Sequence, residues 1–309
     1  MQNPMSRVDV TRLGALALIW GASFLFIKVA VEGMTDLQVV LFRTWLGAAA
    51  LLTLVLLRRL PVPRGIRLWG HLLVIGGIGN ALPFFLFAWA ENGRISSGLA
   101  GIYNGTTPLF TMVLAMAFLS AEPATLARGI GLLLGFAGVV VVLAPWQGSE
   151  GSSLAGQVAC LAAAASYGVA LVWNRRFLPS FGYPPYSLAL GQVAAAGLVT
   201  TVISLLTGWE TVHLTWRVTG SILALGVFGT GIAFFLLYAL MDRIGATRAS
   251  MVTYLVPLVA VALGVFVLGE SVSWHHFVGG AVVLLGIMIA ERRLPLLAAR
   301  RRPAMADLS

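Results

Sequence analysis

Long apolar runs, each ended by a short group of charged or turn-forming positions, recur along the whole chain. They lie near residues 13–31, 37–57, 69–89, 98–119, 127–145, 154–174, 185–206, 219–240, 248–268 and 276–290. Most reach the roughly 20 residues that a helix needs to cross hydrocarbon. Strict apolar/polar alternation is absent, so the period of a membrane barrel strand is missing. The pattern predicts an all-α integral membrane protein with ten transmembrane helices.

The runs fall into two sets. Phe84-Phe85, Pro108, Glu122 and Gly138 recur as Phe234-Phe235, Pro257, Glu270 and Gly286, at intervals that drift by no more than one residue. Such self-similarity marks a duplicated unit. The first copy spans 11–145, the second 154–291, and a basic tail, 292–309, follows. Five spans per copy is an odd number, so the second copy must enter the membrane from the opposite side, giving two inverted five-helix repeats. Inverted repeats place a binding site near the midplane at their junction. Duplication alone would only build a larger bundle, which makes the buried polar residues the test.

Composition supports the class. Of 309 residues, 59% are hydrophobic and 10% charged, against about 25% charged in soluble domains. The net charge of +9 would point to nucleic acid in a soluble protein, but its placement gives a better account. With the N-terminus in the cytoplasm, sixteen arginines (Arg7, Arg12, Arg58, Arg59, Arg64, Arg67, Arg128, Arg175, Arg176, Arg243, Arg248 and five from Arg292 to Arg302) fall on one side. Two, Arg94 and Arg217, fall on the other. This positive-inside bias puts both termini in the cytoplasm and makes the basic tail a topology anchor, not a nucleic-acid site. The first run is too long for a cleaved signal peptide and carries Lys28, so it is read as a retained helix. Cys160, the only cysteine, offers neither an intramolecular disulfide nor a metal site. No cofactor is called for. The expected partners are the bilayer and a small solute, with the oligomeric state open and a monomer sufficient.

Arg43 lies about six residues into the second run, roughly 9 Å deep at the helical rise, where a charge costs about 2.5–3.5 kcal/mol on insertion scales. It either faces water or a partner, or snorkels to the headgroups. Lys28, the only lysine, has the same two options. Glu91, Glu122, Asp242 and Glu270 sit at run ends or in turns, and His71 near an interface, so the buried carboxylate or histidine relay of a proton-driven antiporter is missing. Transport down a gradient, or coupling through a device the sequence does not reveal, is the expectation. A cavity with Arg43 and no acid suits a carboxylate-bearing solute better than a cationic drug.

Trp20, Phe84, Tyr103, Tyr167, Phe235 and Tyr254, with Asn80 and Gln192, are the expected walls of this cavity. The deeper hydroxyl and indole groups need either a wet cavity or a helix-to-helix hydrogen bond. Pro108 and Pro257, repeat mates, interrupt helices and are either hinges or static kinks. Gly131, Gly135, Gly138, Gly279 and Gly286 allow close helix packing.

The second copy, from FLLYALMDRIGATRASMVTYLVPLVAV through VLGESVSWHH to GIMIAE, and IWGASFLFIKVAV followed by LFRTWLGAAALL in the first, resemble the EamA domains of the drug/metabolite transporter (DMT) superfamily. Trp20-Gly21, Lys28, Arg43, Ala249-Ser250, Pro257 and Leu268-Gly269-Glu270 occur in order at the right intervals, over residues 11–291. Ser97-Gly98 departs from the Ala-Ser often found at that place in the first copy. The resemblance is to bacterial amino-acid and metabolite exporters of the YddG kind. It implies a ten-helix basket around a central cavity, alternating access, and export across the bacterial inner membrane. The expected function is metabolite export, amino acids foremost, with a drug exporter or lipid-linked-metabolite flippase on the same fold as the alternative. Catalytic motifs such as GxSxG and HExxH are missing, so an enzyme is not expected. A passive channel is a third option.

Overall fold

The computed structural model describes residues 5–119, 124–144 and 153–291; Glu122, the run from Arg292 to Arg302 and the tail at 292–309 lie outside them. Twelve α-helices are described, with no strand among the described residues. They are α1 (Arg7–Ala30), α2 (Asp36–Leu57), α3 (Ile66–Glu91), α4 (Ser97–Asn104), α5 (Thr107–Phe118), α6 (Leu126–Leu143), α7 (Leu154–Phe177), α8 (Pro185–Thr207), α9 (Trp216–Ile244), α10 (Ala246–Ala249), α11 (Val252–Leu268) and α12 (Trp274–Ala290). Seven, namely α1, α2, α3, α6, α7 with its continuation to Phe181, α8 and α9, are long and apolar enough to cross a membrane, while α11 and α12 are shorter apolar helices.

Local chemistry sets the ends. Ser6 and Thr35 open α1 and α2 with capping boxes closed by Asp9 and Gln38, and Ser96 and Thr215 cap α4 and α9. Each satisfies backbone N–H groups that the first turn leaves free. The run at 98–119 breaks at Gly105-Thr106, and Pro108 stands in the first turn of the new helix α5, where its missing N–H costs nothing. The run at 248–268 breaks earlier, between α10 and α11, leaving Pro257 inside α11. The two prolines are thus sequence mates but not structural mates.

The most extensive helix pairings all join the first copy to the second: α6 with α12, α3 with α7, α1 with α9, α2 with α9, and α3 with α8. Pairings recur with the copies exchanged: α1 on α11 is answered by α5 on α7, and α2 on the middle of α9 by α8 on α3. The pairing of α6 with α12 is the most extensive of all. A Cβ on Gly138 would stand 2.6 Å from the Val283 nitrogen, and one on Gly286 2.5 Å from the Gly135 nitrogen. Bare backbone is what lets these two helices meet.

Both copies widen one helix by a π turn just ahead of the paired phenylalanines, across Gly77–Ala81 in α3 and Ala224–Ile232 in α9. These turns carry Asn80 and Thr230.

Candidate functional site

The π turn of α9 places Thr230 against α2. Thr230 Oγ1 donates to the Leu225 carbonyl, five residues back, at 3.1 Å, and accepts from Arg43 Nε at 3.1 Å. On its other side the Arg43 guanidinium carbon lies 3.7 Å from the centroid of the Phe84 ring, a cation–π contact. Arg43 is 6% exposed and therefore does not snorkel. It is held by Phe84 from one copy and Thr230 from the other. No carboxylate among the described residues is within ion-pairing range of it, and its terminal nitrogens have no hydrogen-bond partner there.

Tyr167 is close enough to Arg43 to interact electrostatically, and its ring lies over Phe87 at 6.3 Å. Asn80, in the π turn of α3, is buried with its Oδ1 unpartnered. Trp20 is half-buried against the main apolar core. Gln192 is buried on α8, which packs on α3.

Other expected wall residues stand elsewhere. The Tyr103 hydroxyl donates to Gln157 Oε1 at 2.5 Å, the helix-to-helix option. Phe235 lies under Arg58, at 4.6 Å, and beside Tyr186. Tyr254 donates to Glu291 Oε2 at 2.9 Å and packs on the Leu109, Val139, Val283 and Ile287 cluster. Lys28 Nζ donates to the backbone carbonyls of Glu91 at 2.7 Å and Ile95 at 3.2 Å, fastening α1 to the turn between α3 and α4. Pro257 meets the other break, because a Cβ on Gly105 would stand 2.9 Å from its Cγ.

The profile of the EamA-like transporter family matches this chain twice, over residues 13–144 and 154–291. The chain belongs to the EamA-like transporter family. Its relatives include the uncharacterized transporter YdfC of Bacillus subtilis, 26% identical over 87% of this chain and 86% of that protein. The uncharacterized inner membrane transporter YedA of Escherichia coli K12 is 26% identical over 90% of this chain and 88% of its own. Protein PagO of Salmonella typhimurium is 26% identical over 94% and 96%. A solved crystal structure superposes with a TM-score of 0.66 at 23% identity, covering 94% of this chain and all of that one; it bears on the fold alone. This EamA-like protein is accordingly a multi-pass membrane transporter.

Three features of this EamA-like transporter escape the sequence reading. Thr230 carries no signal beyond standing in the repeat position of Asn80, four residues before Phe234 as Asn80 is before Phe84. Glu270 is no mere turn residue: its carboxylate accepts from the Ser97 N–H at 2.7 Å, Ser97 Oγ at 3.0 Å and the Gly98 N–H at 3.0 Å. It caps α4 from the other copy, and the Ser97-Gly98 departure is where it docks. Glu91 stands at a helix end, as expected, yet is fully buried with both carboxyl oxygens unpartnered.

Proposed function

We propose that this EamA-like transporter exports small zwitterionic or anionic metabolites, amino acids foremost, by alternating access across the bacterial inner membrane. In this reading ten spans form two inverted five-helix halves, α4 with α5 and α10 with α11 each counting as one span, and both termini lie in the cytoplasm. The exchange of helix pairings between the copies supports the inverted halves, and the arginine bias supports the orientation.

The observation that carries the reading is Arg43: buried, held between Phe84 and Thr230 at the junction of the copies, and without a carboxylate of its own. A guanidinium whose terminal donors are unmatched in a low-dielectric interior is a strong site for a solute carboxylate. Phe84 and Tyr167 bound the site, and Asn80 and Gln192 supply further polar groups. Lys28 adds positive potential from the expected outer end. Pro108 and Pro257 allow the α4–α5 and α10–α11 segments to bend between inward- and outward-facing forms.

Counterflow in proteoliposomes with a panel of amino acids tests this. Saturable exchange that Arg43→Ala abolishes supports it; exchange of every accumulated amino acid unchanged by Arg43→Ala overturns the electrostatic part. Reporter fusions at the two termini test the orientation. The second reading, hydrophobic or lipid-linked cargo, is favoured by an apolar groove of about 510 Å³ lined by Ile102, Pro257, Leu258, Phe266 and Phe277. Long-chain cargo that competes in counterflow would establish it.

A further inference from the structure

Glu91 is the one acidic side chain among the described residues that is fully buried with both carboxyl oxygens unpartnered. By contrast, buried Asp9 is engaged by Ser6 and, at 2.8 Å, by Arg243, and half-buried Glu270 holds three donors on Ser97 and Gly98. The natural counter-ion is at hand and does not pair with it. Lys28 Nζ lies 2.7 Å from the carbonyl oxygen of the same glutamate, and donates there and to the Ile95 carbonyl.

An ionised carboxylate in an apolar interior without hydrogen bonds is strongly disfavoured against the neutral acid. A buried polar group with no partner also calls for an explanation in function. The Lys28 ammonium is also near enough to the Glu91 carboxyl to interact with it electrostatically.

We propose that Glu91 is a proton-binding site that operates the Lys28 clasp between α1 and the α3–α4 turn. With the proton on Glu91, the carboxyl is neutral and Lys28 fastens the two backbone carbonyls. When Glu91 gives its proton to water, the carboxylate draws the ammonium off the carbonyls, and the α3–α4 turn is released from α1. One proton is bound and one released per cycle, and the Lys28–Glu91 pair alternates between one net positive charge and none.

The other groups facing the site are consistent with this exchange. Arg43 on α2, Glu270 ahead of α12 and Cys160 on α7 interact with Glu91 electrostatically but not by ion pair. Arg94, in the adjoining turn, is engaged by the Trp89 ring and by the Trp89 and Asn92 carbonyls. Asp36 accepts from Asn92 at 2.9 Å. Lys28 is therefore the cation placed to replace the proton.

On the export reading above, with this end outermost, the clasp makes the carrier a proton antiporter. A proton from outside closes the outer end, and its release to the cytoplasm lets that end open with solute bound.

Two measurements on the full-length protein in lipid test the clasp without any solute. Infrared difference spectra of the wild type at neutral pH should show the carbonyl stretch of a protonated carboxylic acid, which Glu91→Gln loses and Glu91→Asp shifts. Spin labels on Glu32→Cys and Asn92→Cys, with Cys160→Ser, should report a separation that increases as pH rises, and Glu91→Gln should abolish that dependence. If Glu91→Gln does not fold, Glu91→Asp should move the midpoint of the same transition. Absence of the band in the wild type, or a pH-dependent separation that survives Glu91→Gln, overturns the proposal. Failure of the amino-acid reading would appear in counterflow, which neither measurement uses.

Discussion

Arg43 Nε donates to Thr230 Oγ1 at 3.1 Å, so a side chain from α2 is fixed by a hydroxyl that the π turn of α9 presents. The contact crosses from one repeat to the other. A π turn closes backbone bonds over five residues instead of four, and here the Leu225 carbonyl, five residues back, also accepts from the hydroxyl that holds the arginine.

Thr230→Val keeps the shape and removes the acceptor. Arg43 Nε is then left buried without a partner, at a cost of about 1–3 kcal/mol. Thermal unfolding in detergent should show a lowered Tm, and counterflow should weaken. Thr230→Ser should restore both.

Arg43→Lys keeps the charge but loses the planar contact with Phe84 and the Nε donor. Arginine and lysine are not equivalent at a stacked site. Counterflow of carboxylate solutes should fall by roughly tenfold or more, an expected loss of about 1.4 kcal/mol or above. Equal affinities for wild type and Arg43→Lys would show that charge alone acts.

Glu270→Gln leaves the side chain in place but removes the charge from a cap that serves two backbone N–H groups and a hydroxyl. Hydrogen bonds to a charged acceptor are roughly twice as strong as neutral ones, and a carboxylate at a helix N-terminus adds about 0.3–1 kcal/mol. Glu270→Gln should lower Tm modestly and Glu270→Ala more, in differential scanning fluorimetry. No change in either would remove the cap from the account of stability.

Gly138→Ala should be severe, because its Cβ would stand 2.6 Å from the Val283 nitrogen and only separation of α6 from α12 relieves that. Overpacking costs about 1–3 kcal/mol. Gly129→Ala, on the same helix, meets nothing within 4 Å and should gain about 0.5–1 kcal/mol of helix propensity. Opposite signs of the two Tm shifts check the interface.

Much of this fold was legible in the chain because apolar runs of membrane length have few other uses. The helices follow the runs, and Gly138 and Gly286 pack as their spacing indicates. The faces of the helices were not legible. Spans that are apolar all round give no amphipathic signal, so Phe235 and Tyr254 stood with Phe84 and Tyr167 on the same footing, although the structure places them by Arg58 and Glu291. The burial of Glu91 was illegible for a different reason. Its place at a helix end indicates shallow depth, but the last turns of α3 are packed sideways by α7, α2 and α1, which sequence position does not encode. Glu270 and Ser97-Gly98 looked unrelated because their contact is long-range.

Gly105, at the break between α4 and α5, has no side chain where the ring of Pro257, inside α11, sits. The bend of one repeat therefore rests on the proline of the other, like paired cogs. A change of angle at the α4–α5 break displaces the proline ring, so movement in the first half is passed to α11 in the second.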